Sequence, residues 1–458
     1  MDLGMHVREA VAMDGRSLKR LRTELEEFVG ALLSDLPRRD QRRWAHTYLR
    51  GLLLDGDRKS IEPMARRLEE IDGSKQDYEQ SLQQLVNQSP WAAGLVRDRL
   101  QRWVAARSAS QARRHQDPPA KGGHRFLIID ETGFPKQGKN SVGVSRQYSG
   151  TLGKVANCQM AVTLQFATQP ADKADGGEVF CVDTRLFLPE KQWGNDRERM
   201  TEAGVPLAVG YEPKWKMSLT MLGQAKANGL TGVVLADALY GSVTEFRRSL
   251  DREGWMYCVG VESTLSVIDA AEDLGEVPPW LGNGRPPTRP SRVAAKIAGV
   301  SVKQWAVNHA ADFRTVNWRE GSRVRRGKAR KLSGRFAAWR IRPAHRLSDG
   351  RRPQDECWLL AEWPQGEGAP TKYFFANLPA STSLRQLVRT AKGRWWVEQS
   401  YREMKEELGL DHYEGRSWVG WHHHVVLVML AYAFVVAYRR QKRGDTTGLL
   451  SACQRPAA

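Results

Sequence analysis

Apolar residues recur at helical spacing through the first hundred residues of the chain, as in LRTELEEFVGALLSDL and WAHTYLRGLLL. Runs of β-branched residues are few there, so the pattern predicts helices rather than strands. Residues 1–106 are therefore expected to form an all-helical N-terminal domain. The following stretch, residues 107–123, is small, polar and basic, with Pro118 and Pro119 in its second half. That composition is typical of a linker.

The pattern changes to short apolar runs after the linker. FLIID, which ends at Asp130, is of strand type, and further strand-like runs lie at 142–148, 160–167 and 179–188. Helical and strand-like segments then alternate as far as residue 261, and this alternation predicts βαβ units and a parallel, buried part of the sheet. Residues 124–261 are thus expected to form the first part of an α/β domain.

Two more segments complete the predicted organisation. Residues 262–373 break into loops rich in Pro and Gly and short strands, which predicts an inserted β subdomain. Residues 374–440 return to helical periodicity, with Gly409 in the position of a C-terminal cap, and residues 441–458 form a tail. The apolar run from Val425 to Tyr438 has 14 residues. A bilayer needs about 20, so we predict a buried helix and no membrane partner.

The net charge of the chain indicates the kind of partner that it binds. Lys and Arg number 70 against 52 Asp and Glu, a formal net charge of +18. Such a chain is expected to bind a polyanion through release of condensed counterions, although a basic protein without any nucleic-acid function remains an alternative. Five scattered cysteines without a C-x-x-C pair indicate a reducing compartment. With no signal peptide pattern, the prediction is a cytoplasmic protein.

Two of the predicted strands end on an aspartate. FLIID ends at Asp130 and VVLAD ends at Asp237. Open α/β sheets place their functional sites along the edge where the strands have their carboxyl ends. Each aspartate alone fits the capping of a turn equally well, but two such strands in one domain favour a shared site.

The helix around Glu398 supplies a third carboxylate. At 100° per residue, Arg394, Glu398, Tyr401 and Lys405 fall within about 60° of one another on this helix. The alternative is an ordinary i,i+4 ladder of charges, worth a few tenths of a kcal/mol per pair. Three carboxylates from two strands and a helix suit two Mg²⁺ ions, for which Mn²⁺ is expected to substitute, because these cations prefer oxygen ligands. Arg394 and Lys405 would then lie where they contact a DNA phosphate, and Tyr401 is a further expected contact with DNA.

Three stretches of the chain closely resemble the transposases of bacterial insertion sequence family 701: FLIIDETGFPKQGKNSVGVSRQYSGTLGKVANCQMAV, VVLADALYG and RWWVEQSYREMKEELGLDHYEGRSWVGWHHH. The resemblance implies a DDE transposase with a ribonuclease-H-like core. It also implies that Asp130, Asp237 and Glu398 are the catalytic, metal-binding residues. Related transposases carry the signature Tyr-x2-Arg-x3-Glu-x6-Lys, and this chain matches it except at the tyrosine, which is Ala391.

Further candidates lie outside this constellation. The stretch from Arg319 to Arg335 holds eight basic residues and one acidic residue, which predicts a flexible loop on the DNA backbone. Its expected contacts are Arg323, Arg325, Arg326 and Lys328. Trp395 and Trp396 are candidates for stacking on a base, with a core position as the alternative. The three consecutive histidines from His422 point in different directions on a helix, so a structural role is favoured over metal binding.

The sequence therefore predicts an α/β transposase with a helical DNA-binding domain. It is expected to cleave transposon ends and join them to target DNA by two-metal-ion phosphoryl transfer. Because two ends must be held together, a homodimer or larger assembly on double-stranded DNA is expected. Two alternatives stay open, namely a metal-dependent nuclease of the same fold without strand transfer and a DNA-binding protein with a decayed site.

Overall fold

The computed structural model describes residues 15–73, 76–114, 124–150, 153–169, 177–272, 282, 284, 299–325, 328–344 and 355–441. For residues 319–325 and 328–331 it describes the backbone alone. Within these ranges the chain combines helices with one mixed sheet of twelve strands. The predicted α/β class is confirmed.

The N-terminal part is helical, as predicted. Its helices are α1 (Gly15–Leu32), α2 (Arg39–Leu53), α3 (Ile61–Asp72), α4 (Tyr78–Asn87) and α5 (Ala93–Arg114). In α2 the buried residues Ala45, Tyr48 and Leu52 form one face, while Arg39 and Arg43 lie exposed on the other. Helix α5 continues through residue 114 into the segment predicted as a linker, and residues 115–123 lie outside the described ranges.

The first six strands of the sheet follow this helical part along the chain. They are β1 (His124–Pro135), β2 (Ser145–Ser149), β3 (Lys154–Gln169), β4 (Val179–Phe187), β5 (Val233–Ala236) and β6 (Tyr257–Val261). Strand β3 pairs antiparallel with β1, β2 and β4. Strand β5 pairs parallel with both β1 and β6, so the predicted parallel part exists and consists of three strands.

Short helices connect these strands and cover the sheet. They are a π-helical turn (Glu190–Gly194), α6 (Arg197–Glu202), α7 (Lys214–Ala227), α8 (Ala238–Gly241) and α9 (Thr244–Arg252). The alternating β1 residues Leu127 and Ile129 join the larger core cluster together with α7 and α9, whereas Phe126 and Ile128 join a second cluster on the other face. Because the side chains of a strand alternate, β1 is buried on both faces.

The segment predicted as an inserted β subdomain extends this same sheet. It contains β7 (Ser266–Asp269), β8 (Val300–Ser301), α10 (Val302–Asn308), a 3₁₀ turn (Ala310–Asp312), β9 (Arg314–Arg325), β10 (Lys328–Pro343) and β11 (Cys357–Trp363). Strand β12 (Lys372–Ala376) pairs with β6 on one side and β11 on the other. The strand order is β2-β3-β1-β5-β6-β12-β11-β10-β7-β8, with β4 beside β3 and β9 beside β10.

The prediction of a flexible loop from Arg319 to Arg335 is wrong. Strands β9 and β10 pair antiparallel there, with Lys328 opposite Arg325 and Phe336 opposite Arg314. At the base of this hairpin the Trp318 ring meets the Phe336 ring edge to face at 5.5 Å. Backbone pairing and this aromatic contact order a segment whose glycines, serines and charges suggested a loop.

The C-terminal part consists of helices. They are α11 (Leu384–Lys392), a 3₁₀ turn (Gly393–Trp395), α12 (Trp396–Arg402), a π-helical turn (Glu403–Glu407) and α13 (Trp418–Gln441). Gly409 follows the π turn with φ +65°, and the N–H of Leu410 donates to the Met404 carbonyl. The predicted C-terminal cap at this glycine is confirmed.

Helix α13 is the buried helix predicted from the apolar run. Its length and a mean hydropathy of 1.6 would suit a membrane span, but 83% of its apolar window is buried inside the protein. It packs against α2, α4, α5 and β4. His423 stacks on Trp91 with ring centroids 3.7 Å apart, and the Nδ1 of His424 lies 2.8 Å from the Tyr48 hydroxyl. Burial lowers the pKa of His424 to about 4. These contacts support a structural role for the histidines.

Candidate active site

Asp130 and Asp237 lie side by side at one edge of the sheet. Ile128 of β1 is paired with Leu235 of β5 in the parallel register, so the two aspartates, each two residues further on, are level. Oδ1 of Asp130 accepts the Glu131 N–H at 2.9 Å. Oδ1 of Asp237 accepts the Leu239 N–H at 3.0 Å and caps α8. The capping role that the sequence left open for Asp237 is therefore real, and it fixes the side chain at the edge.

The environment of Asp130 disfavours its charged form. Its side chain is only 16% exposed, and burial raises the pKa of Asp130 to about 6. The charges of Asp237 and Glu131 add to the rise, while the guanidinium of Arg394 opposes it. Two neighbouring carboxylates with little access to water destabilise each other's charged form, so a positive charge beside them is stabilising.

Arg394 supplies part of that charge. Its Nη1 donates to Oδ2 of Asp130 at 2.8 Å. Burial lowers the pKa of Arg394, but Asp130, Asp237 and Glu398 together raise it above its ordinary value. Gly393 lets the segment come this close, because a Cβ there would lie 2.8 Å from the Phe126 ring beneath it.

Glu398 lies one helical turn beyond Arg394 on α12 and is exposed. In the part of the chain that the structure describes, its carboxylate has no hydrogen bond or ion pair. The same ranges contain no cluster of three or more His, Cys, Asp or Glu side chains within reach of one metal ion. The structure thus brings Asp130, Asp237 and Arg394 together, with Glu398 near Arg394 but outside a common ligand set.

Tyr401 and Lys405 attach the helical segment to the sheet. The Tyr401 hydroxyl lies 2.5 Å from Oγ1 of Thr163 on β3. Nζ of Lys405 donates to the Gly133 carbonyl at 2.8 Å, and burial lowers the pKa of Lys405. Both side chains are half-buried, and their predicted contact with DNA stays a prediction.

The sequence analysis missed a second polar cluster on the opposite face of β1. Glu131 points away from Asp130, and its carboxylate accepts from Nζ of Lys214 at 2.5 Å and from the Tyr240 hydroxyl at 3.2 Å. Burial raises the pKa of Glu131, and the Lys214 ammonium opposes part of the rise. Tyr240 follows Asp237 by only three residues, on α8, so its proximity to a candidate residue could have marked it in the sequence. Lys214 opens α7 far along the chain, where no local pattern marks it.

The remaining candidates have mixed placements. Ala391, at the tyrosine position of the signature, is buried at 6% exposure in α11. Trp395 is 47% exposed, whereas Trp396 packs against the core cluster below α12. Of the four predicted backbone contacts, three lie on β9 and β10 with undescribed side chains, and Arg326 lies outside the described residues. Those contacts stay predictions.

Comparison of the chain with known proteins identifies its family. A profile of the DDE superfamily endonucleases matches residues 31–325, a range that contains Asp130 and Asp237 and ends before Glu398. The chain is also 31% identical over 216 residues to a probable transposase for insertion sequence element IS701 from Microchaete diplosiphon. That match covers 46% of this chain and 47% of the other, so the chain spans about half the length of this curated relative.

A solved structure, the NurA nuclease from Sulfolobus solfataricus, aligns with 65% of this chain and 83% of its own at 9% identity. Its TM-score of 0.22 is too low to support any conclusion. The family profile spans well over half of the chain and confirms the resemblance read from the sequence. The protein belongs to the DDE superfamily endonucleases.

Proposed function

We propose that this protein is a DNA transposase that cleaves the ends of a mobile element and joins them to target DNA. The observation that carries the proposal is the pair of level carboxylates, Asp130 and Asp237, on adjacent parallel strands beside Arg394. The similarity to a probable transposase supports the same function, and the alignment covers about half of that relative's length. A net charge of +18 suits a DNA substrate.

A ribonuclease-H-like core is part of this proposal. The strand order β4-β3-β1-β5-β6 supports it, with three antiparallel strands followed by two strands parallel to β1. In this proposal α12 is the helix that carries the catalytic glutamate, and it holds Glu398 near Arg394. Strands β7 to β12 then correspond to an insertion between β6 and the glutamate helix.

The donor chemistry of the site fits divalent cations in part. Asp130 and Asp237 offer hard carboxylate oxygens, and the raised pKa of Asp130 means that added positive charge would be stabilising there. They would hold Mg²⁺ or Mn²⁺, and Glu398 would join them only after a change in α12. When bound, such ions would activate a water or a DNA 3′-hydroxyl for in-line attack on phosphorus.

Side chains of the protein would bind the DNA and orient the catalytic groups. Arg394, 32% exposed in its side chain, would bind a phosphate oxygen by charge-assisted hydrogen bonds. Lys405 and Tyr401 hold α12 against β1 and β3 and so orient Glu398. We assign DNA-end recognition to the helices of residues 1–106, whose α2 carries exposed arginines, and further backbone contact to Arg323, Arg325, Arg326 and Lys328. Simultaneous binding of two ends requires at least a dimer.

Amide substitution at the three carboxylates tests the proposal. Asp130→Asn, Asp237→Asn and Glu398→Gln each keep the side-chain shape and remove one negative charge. Each variant is expected to bind end DNA at least as well as wild type without metal and to lose cleavage by several powers of ten. Glu406→Gln is the matched control, because Glu406 is exposed on the next turn of the same segment.

A pre-cleaved end with a free 3′-hydroxyl separates transposition from hydrolysis. Wild type should join this end to target DNA, and the three amide variants should not, because the same carboxylates serve both steps. Near wild-type cleavage by any one variant removes that residue from the site. Wild-type cleavage without any joining would instead favour a nuclease of the same family.

A further inference from the structure

We propose that Arg394 couples DNA binding to cation binding at the candidate active site. Without DNA its guanidinium holds Asp130. When a DNA phosphate engages the guanidinium, Asp130 is released to accept a divalent cation. The inference rests on the proposed function, and it makes Arg394 a positioning residue that acts through Asp130.

The contacts of Asp130 show why its release matters. A carboxylate has about four lone-pair positions. Oδ2 accepts from Nη1 of Arg394 at 2.8 Å, and Oδ1 accepts the backbone N–H of Glu131 at 2.9 Å. The backbone contact is built into β1, so the guanidinium is the engaged donor that can leave. Removing it frees a lone pair on Oδ2 of Asp130 and takes away the positive charge that neutralises this carboxylate.

Charge gives the competition its direction. The positive charge of Arg394 interacts with Asp130, Asp237 and Glu398. A divalent cation brought to the two aspartates would face this fixed positive charge at close range, where like charges repel strongly in a poorly hydrated site. The guanidinium and the cation therefore compete for the same carboxylates, and the protein without DNA should bind metal weakly.

The different exposures of Arg394 and Asp130 show how DNA can draw the guanidinium away from the carboxylate. The Asp130 side chain is 16% exposed and that of Arg394 is 32% exposed. A phosphate can therefore approach the guanidinium from solvent while Asp130 stays enclosed. Phosphate matches the fork of a guanidinium as well as a carboxylate does, so Arg394 exchanges one charge-assisted partner for another. By thermodynamic linkage DNA should then raise metal affinity, and metal should raise DNA affinity by the same factor.

Arg402, at the end of α12, provides a matched control on the helical segment that follows Arg394. It is exposed, and its guanidinium donates to Oε1 of Gln399 at 2.7 Å. Arg402→Gln removes one positive charge from the same helical segment, as Arg394→Gln does, without touching Asp130. A general effect of net charge on metal binding would appear in both variants, whereas release of Asp130 should appear only in Arg394→Gln.

The test measures Mn²⁺ binding by electron paramagnetic resonance on the full chain, with and without a duplex that carries the element's end. The signal of the Asp130→Asn complex is subtracted, because DNA itself binds Mn²⁺. Wild type is expected to bind Mn²⁺ about tenfold or more tighter with DNA, within the usual range of coupling. Arg394→Gln should bind Mn²⁺ about tenfold tighter than wild type without DNA and gain little from DNA. Arg402→Gln should behave as wild type.

The outcomes separate this inference from the proposed function. If Arg394→Gln leaves Mn²⁺ affinity without DNA unchanged, or keeps the wild-type gain from DNA, the coupling role of Arg394 is refuted while the active site stands. If Asp130→Asn binds Mn²⁺ as wild type does, the cation binds elsewhere and the proposed function itself fails. Should Arg394→Gln not fold, Arg394→Lys carries the test. This variant keeps the charge but loses the planar fork, so it should bind Mn²⁺ weakly without DNA and respond less to DNA, and a wild-type response would refute the proposal.

Discussion

Replacing Asp130 with asparagine is expected to stabilise the fold at neutral pH while it abolishes catalysis. Burial raises the pKa of Asp130 from its ordinary value of 3.8 to about 6. Between these two values the native state holds a proton that the unfolded chain has released, so stability falls as pH rises through this window. Above pH 6 the protein carries the full cost of a buried carboxylate.

The size of this cost follows from the two pKa values. A tenfold change in proton affinity is worth about 1.36 kcal/mol, so the rise from 3.8 to about 6 corresponds to about 3 kcal/mol. Asparagine has the same shape and no charge, and it avoids the cost. Unfolding entropy of about 2.1 cal/mol/K per residue gives about 1 kcal/mol/K for 458 residues. The gain in melting temperature is therefore about 3 °C if the chain melts as one unit.

The assay compares melting temperatures from pH 4 to pH 8 in the presence of a chelator, with Glu406→Gln as the control for loss of an exposed carboxylate. The difference between Asp130→Asn and wild type should be near zero at pH 4 and grow to a plateau above pH 6. A difference that does not change with pH, or a loss of stability at pH 7.5, would refute the reasoning. The first result would mean that the ion pair with Arg394 balances the cost of burial, and the second that it outweighs this cost.

Four further predictions concern the rest of the structure. Gly409→Ala should lower stability by about 1–3 kcal/mol in chemical denaturation, because φ is +65° and a Cβ would collide with Lys59. His423→Phe should cost about 1–3 kcal/mol in the same assay, because it keeps the ring on Trp91 but removes the imidazole N–H that donates to one of two buried carbonyls, those of Val86 and Trp91. A fragment of residues 1–106 should lack a stable fold by circular dichroism, because α13 fills the space between its helices. Alanine at Arg323, Arg325, Arg326 and Lys328 should reduce the slope of log K against log salt by about 0.9 for each phosphate that the variant no longer neutralises. An unchanged slope would remove these four residues from the DNA interface.

Local patterns were sufficient for the elements that carry the carboxylates. FLIID and VVLAD are predicted as strands because a short apolar run with β-branched members favours a strand over a helix. Their aspartates lie at one edge of the sheet because the two strands are parallel neighbours. The cap at Gly409 and the burial of α13 likewise follow from short-range sequence signals.

Local patterns failed where order depends on distant partners. The stretch from Arg319 to Arg335 has the composition of a loop, yet it forms two paired strands because the sheet and the Trp318–Phe336 contact order its base. The predicted β subdomain joins the main sheet because β12 finds its hydrogen-bonding partner in β6, more than a hundred residues earlier. Periodicity describes a single segment and carries no information about such pairings.

The sequence by itself determined the α/β class, the family and the three candidate carboxylates. Only the tertiary structure decided what surrounds them. The pairing of Arg394 with Asp130 joins residues 264 positions apart, and the Glu131, Lys214 and Tyr240 cluster joins three separate elements. Burial shifts the pKa of Asp130 because other parts of the chain exclude water from it. Desolvation and ion pairing are properties of the packed molecule, so no reading of the chain one segment at a time can supply them.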